Sequence, residues 1–149
     1  IIRNALIMAL VDLEKIKAQL TSTPSEGDQR EVFRELLFKI LTKAARVDLH
    51  TADAEITMIQ RIMKSYTGEE YAAAAIRTES IAQSQESSLR PVARLAAKLP
   101  ESFRVLAIVA LEEVMRSDER LSYSEIDYFN AVAGAMRLSF ADVAGLVAD

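Results

Sequence analysis

Four carboxylates stand in a repeated arrangement, Asp48 with Glu55 and Asp118 with Glu125, each glutamate seven residues after its aspartate. Placed at the adjacent ends of two helices, such side chains can converge their oxygens, which are the ligands that hard divalent cations take. Calcium is the first expectation, with magnesium or zinc as alternatives. The pattern is not an EF-hand, because a twelve-residue loop with alternating oxygen donors and glycine at the sixth position is absent. Arg46 and Arg116 lie two residues before each aspartate, and a guanidinium competes for the same oxygens by forming salt bridges.

The same polar residues have a second explanation in helix-end chemistry. An arginine in a last turn and a glutamate in a first turn both complement the macrodipole. Ser122 and Glu125 also form a capping-box pair, but the residue aligned with Ser122 in the first copy is Ala52, so Glu55 lacks that partner.

Other chemistry is scarce. The chain has no cysteine and a single histidine, His50, which excludes a disulfide scaffold, a cysteine zinc site, an iron–sulfur cluster and a multi-histidine metal site. His50 follows Asp48 by two residues and reads as a solvated loop side chain. No phosphate-binding glycine loop, nucleophile elbow or HExxH is present, so no catalytic residue, small-molecule substrate or enzymatic activity is identified. Eighteen basic against 22 acidic side chains give a net charge of −4 with no basic block, which points away from nucleic acid. Tyr66, Tyr71, Tyr123 and Tyr128, with Arg61 and Arg77, are too dispersed for a base-stacking platform and read mostly as residues at the edge of the core.

The elements that must position these groups are helices. Of 149 residues half are apolar, enough for one domain with a real core, and 23 alanines against four glycines and three prolines imply long helices and few turns. Periodicity gives helices over about 3–20, 29–47, from after Thr51 to Thr67-Gly68, from Glu69 onward with a Thr67/Glu70 capping box, from Pro91 to Lys98, over 101–116, 122–136 and 139–148. A loop is expected at 21–27 and a break at Ser80–Ser88; these are eight stretches, and about seven helices are expected in all. The apolar start, Ile1 to Val11, is interrupted by Asp12 and Glu14, lacks a small-residue cleavage site and is too short to span a bilayer. It is expected to dock on the core, and the lack of an initial methionine leaves room for residues upstream.

Laying residues 33–64 over 103–134 at an offset of 70 gives eight identities in 32 positions, against about two at average residue usage. Phe33, Leu36, Leu41 and Ile56 meet Phe103, Leu106, Leu111 and Ile126, and these eight are expected in the core. Arg34, Arg46, Asp48 and Glu55 meet Arg104, Arg116, Asp118 and Glu125. A helix–loop–helix is duplicated, and two copies are expected to pack as paired hairpins about a pseudo-twofold rather than as a solenoid.

The hairpin Ala44-Ala45-Arg46-Val47-Asp48 leading to Ala54-Glu55-Ile56, and its echo from Met115 to Ile126, resemble the tellurite-resistance TerB-like family. That family includes the N-terminal domain of a membrane-anchored J-domain co-chaperone. Its pattern is alanine, aspartate, glycine and a glutamate seven residues after the aspartate, occurring twice. Leu49 and Glu119 replace the glycines here, and Met136-Arg137-Leu138-Ser139 resembles the family's final turn with Arg137 where glycine is usual. The resemblance covers about residues 29–147. It implies an all-α domain acting in tellurite resistance or related stress and phage defence, with Asp48, Glu55, Asp118 and Glu125 as cation ligands. It further implies a cytoplasmic location at the inner membrane face and protein partners in a membrane-associated resistance complex, with a homodimer also open. Thiol reduction of tellurite is excluded for a chain without cysteine.

The expected architecture is one all-α domain over 1–149: an N-terminal helix and loop (1–24), a first repeat (29–66), connecting helices (67–98) and a second repeat (101–149). The expected function is a non-enzymatic, metal-responsive interaction module. The alternative is a structural scaffold for protein interaction, whose acidic positions are only caps and salt bridges.

Overall fold

A computed structural model describes residues 27–45, 53–116 and 123–139. They form six helices and no strand: α1 (Gly27–Ala44), α2 (Asp53–Thr67), α3 (Ala73–Ser84), α4 (Arg90–Ala97), α5 (Glu101–Arg116) and α6 (Tyr123–Ala135). The expected helices at 3–20 and 139–148, and the Ser122/Glu125 capping box, fall wholly or partly outside the described residues.

Apolar residues at three- and four-residue steps decide which faces turn inward. On α1, Phe33, Leu36, Leu37, Ile40 and Leu41 are buried, and on α2, Ile56, Ile59, Ile62, Met63 and Tyr66 are. Helix α5 is more thoroughly enclosed, with every residue from Leu106 to Leu111 buried. Helix α1 touches all five other described helices, its most extensive neighbour being α5. The two duplicated hairpins, α1–α2 and α5–α6, therefore meet through their first helices. Phe33 and Phe103, equivalent residues of the two copies, lie against each other with ring centroids 6.0 Å apart, as residues beside a pseudo-twofold axis do. Of the eight apolar repeat positions, Ile126 alone is only half-buried.

Local chemistry moves two expected boundaries. The Thr67/Glu70 capping box does not form, because Thr67 Oγ1 donates to Met63 O at 2.6 Å and Glu70 is paired with Lys64 at 2.7 Å. Helix α3 accordingly starts at Ala73, with Ala72 as an N-cap that offers no side-chain hydrogen bond. The break expected at Ser80–Ser88 comes later, after Ser84, because Ser80 is buried and its Oγ donates to Thr42 O on α1 at 2.8 Å. A polar residue that reads as a loop signal is here a helix contact.

The helix ends carry the remaining specification. Pro91 lies in the first turn of α4, and Pro100 O accepts from the amides of Phe103 and Arg104 to open α5. Gly68 closes α2 with a left-handed φ of 80° and its N–H on Lys64 O at 2.9 Å. Helix α6 ends in a Schellman motif, with Leu138 N–H on Ala133 O and Arg137 N–H on Gly134 O, each at 3.0 Å. Arg137 occupies the left-handed position of that motif, at φ 55°.

Candidate functional site

Glu55 lies in the first turn of α2 and Glu125 in the first turn of α6, the matching positions of the two hairpins. The fold brings these two side chains to one pocket, which is closed by Ala44, Val114, Met115 and Tyr128. The sequence pairs each glutamate with the aspartate of its own hairpin; the structure pairs the glutamates with each other's pocket wall, across the seam between the copies. Asp48, Asp118, Arg46 and His50 lie outside the described residues, and among the described residues no group of three or more acidic or histidine side chains is gathered.

Glu125 is only 7% exposed, an unusual state for a carboxylate. Oε2 of Glu55 and Oε2 of Glu125 are both sealed from solvent and accept no hydrogen bond, while each residue is held by a further interaction. A carboxylate in such an enclosure needs a hydrogen bond, a counter-charge or a proton to offset its lost hydration. The space in the pocket is about 10 Å³, room for about one water-sized sphere. Among the described residues the wall adds no thiolate or imidazole, only the weakly coordinating Met115 thioether, and Tyr128 is occupied elsewhere, its hydroxyl donating to Ile40 O at 2.7 Å. Full burial pushes the Tyr128 phenol far above its ordinary pKa, so it stays a neutral donor. The donor set is hard oxygen, which fits calcium or magnesium better than zinc.

Arg116, expected to compete for the acidic site, is paired with Glu112 one turn back on α5. Arg77 pairs with Asp53 at 2.6 Å, and Arg34 with Glu69 at 2.6 Å and Glu31 at 3.1 Å. The hydrogen bond that Arg34 donates to Glu69 holds its guanidinium above the usual pKa. Among the tyrosines, Tyr66 and Tyr128 are buried and Tyr71 stacks on Phe38 at 4.6 Å. Tyr123, in contrast, is 89% exposed rather than at the core edge.

The family model described as tellurite resistance protein TerB matches residues 34–147. The chain belongs to the TerB family. Neither curated proteins nor solved structures gave a significant match. The matched span runs from within α1 past α6, so it takes in both duplicated hairpins except the first seven residues of α1. Within this TerB domain the pocket draws one glutamate from each copy. What sequence reasoning did not reach is that sharing, because a fixed offset shows which residues are equivalent but not which equivalents face one another.

Proposed function

We propose that this TerB domain is a non-enzymatic, cation-responsive interaction module of the tellurite-resistance type. Glu55 and Glu125 form the centre of the cation site, and Asp48 and Asp118 supply further oxygens. The observation that carries the reading is the convergence of Glu55 and Glu125, from opposite copies, on one pocket. A divalent ion would offset the mutual repulsion of the two carboxylates and fasten α2 to α6. Its binding would thus change how firmly the hairpins hold together, which gives a protein partner a surface that depends on the ion. The working location is the cytoplasmic face of the inner membrane, with a membrane-associated resistance complex as partner; no helix among the described residues is long and apolar enough to cross a membrane.

The test is thermal melting with chelator and then with calcium, magnesium or zinc. An ion at ~100 times its Kd stabilises the folded state by ~2.7 kcal/mol. Changing Asp118 and Glu125 together to their amides removes that shift while circular dichroism retains the helical content. No shift with any of the three ions leaves the scaffold reading, which is favoured by the further interactions that already hold Glu55 and Glu125.

A further inference from the structure

The duplication places an arginine at the same point of each copy, Arg34 on α1 and Arg104 on α5, and each lines a recess beside the C-terminal end of its own copy's second helix. The two recesses differ in charge balance. In the first, Arg34 is neutralised by Glu69, the residue after the left-handed Gly68, and by Glu31 on its own helix. In the second, the left-handed position is Arg137 and the residue after it is Leu138, which is buried. The first recess sets Arg30 and Arg34 against Glu31 and Glu69, whereas the second holds Arg104 and Arg137 with no carboxylate among the described residues.

Arg104 is held without a carboxylate. Its Nη1 donates to Met136 O at 2.6 Å, inside the Schellman cap, while its Nε is buried with no acceptor. Glu101 occupies the place of Glu31, three residues before the arginine, yet it lies outside the recess and makes no ion pair with Arg104 among the described residues. The recess offers about 250 Å³, and its walls include Ala93, Ala96, Ala97 and Leu99 of the α4 segment. Among the described residues no carboxylate lines it. Along α4 and its end, Arg90, Arg94 and Lys98 recur every four residues on one exposed stripe, so this corner is basic in a chain whose net charge is −4.

A buried guanidinium nitrogen without an acceptor is costly, and so is a non-glycine residue held left-handed. Both costs fall on residues that line the same recess. We infer that the recess between α4, Arg104 and Arg137 is a binding site for a phosphate group, which takes the place that Glu69 fills beside Arg34 in the first copy. Two guanidinium groups match a dianion, and the planar fork of arginine suits phosphate oxygens. The alanine floor leaves room for the group that carries the phosphate. This site is separate from the glutamate pocket and does not depend on a cation there.

The test uses the full chain, labelled with nitrogen-15, titrated with inorganic phosphate at constant ionic strength and with chloride as control. Phosphate is expected to give saturable shifts of the Arg104 Nε–H signal and the Arg137 amide, and chloride none. Arg137→Gly, read at Arg104, and Arg104→Lys, read at the residue 137 amide, each weaken binding about tenfold. Arg34→Lys in the mirror recess leaves it unchanged. A parallel arm measures co-sedimentation with phosphatidylcholine vesicles containing phosphatidic acid. Binding in that arm alone, lost in both variants, keeps the phosphate site and assigns its source to a lipid headgroup. Shifts that chloride reproduces, affinity untouched by Arg104→Lys, or no response in either arm overturns the inference.

Discussion

Gly68 and Arg137 stand at matching helix ends, both in left-handed backbone, but one residue type suits that conformation and the other resists it. A Cβ built on Gly68 meets nothing within 4 Å, so Gly68→Ala carries the backbone penalty alone and is expected to cost about 1 kcal/mol. Arg137→Gly works in reverse and should gain ~0.5–1 kcal/mol, raising the melting temperature by about 3 °C. Thermal denaturation of the two single variants checks both signs; a loss of stability in Arg137→Gly sinks the strain argument. The presence of Arg137 at a glycine-like turn was legible in the sequence through the family's usual final segment. Its left-handed φ and its place beside Arg104 were not, because they depend on where α6 ends.

Tyr128 makes a pH prediction at the same scale. Its phenol is neutral and hydrogen-bonded in the folded protein, with its pKa raised by burial, whereas an unfolded tyrosine ionises near pH ~10. A raised folded pKa means stability fully present below the unfolded value and lost progressively above it. Folding should therefore weaken as pH climbs beyond ~10. Tyr128→Phe should cost about 1 kcal/mol at neutral pH and flatten that alkaline decline. Denaturant midpoints at neutral and alkaline pH measure both effects; an equally steep decline in the variant assigns the lability elsewhere.

At the scale of elements, α3 is fastened at its C-terminal end by a residue of α1. Lys43 Nζ donates to Gln83 O at 3.4 Å and also to Glu86 O, so a cation meets the carbonyl end of the helix. Burial pulls the Lys43 ammonium below its ordinary pKa, with Glu86 acting in the opposite sense. Lys43→Met keeps most of the stem and loses the donors. It should cost about 1–2 kcal/mol and speed hydrogen exchange at residues 80–86 more than in α5. Uniform exchange across the chain would contradict the local role. This contact also explains the misplaced break. Ser80, Gln83 and Ser84 are polar enough to signal a loop, yet Ser80 and Gln83 are buried against the rest of the fold. Period and composition report what a segment contains, and only packing reports which polar side chains find acceptors. The apolar stripes of α1, α2 and α5 had no such ambiguity, and their core residues were readable position by position.

For the molecule as a whole, the seam between the copies is where equivalent residues meet, Phe33 on Phe103 and Glu55 near Glu125. Phe33→Ala should cost about 3–5 kcal/mol, and a double-mutant cycle with Phe103→Ala should return a coupling of about 0.5–1.5 kcal/mol. Additive effects in urea unfolding would show that the two rings are independent. The duplicated sequence made two hairpins legible and left their docking open, since an offset of 70 is compatible with any relative placement.

That separation of 70 residues also sets an order of events. The α1–α2 turn closes over a handful of residues, but each pair at the seam closes a loop several times longer, and loop entropy grows with length. Helices and hairpins thus have cheap routes to formation, and the seam is the expensive contact that forms after them. A chain emerging from a ribosome would finish its first hairpin well before Phe103 or Glu125 existed to meet it. Until then Phe33 has no ring to cover it and Glu55 no counterpart, so the nascent half presents an apolar edge that another half, in the same chain or a neighbouring one, can complete.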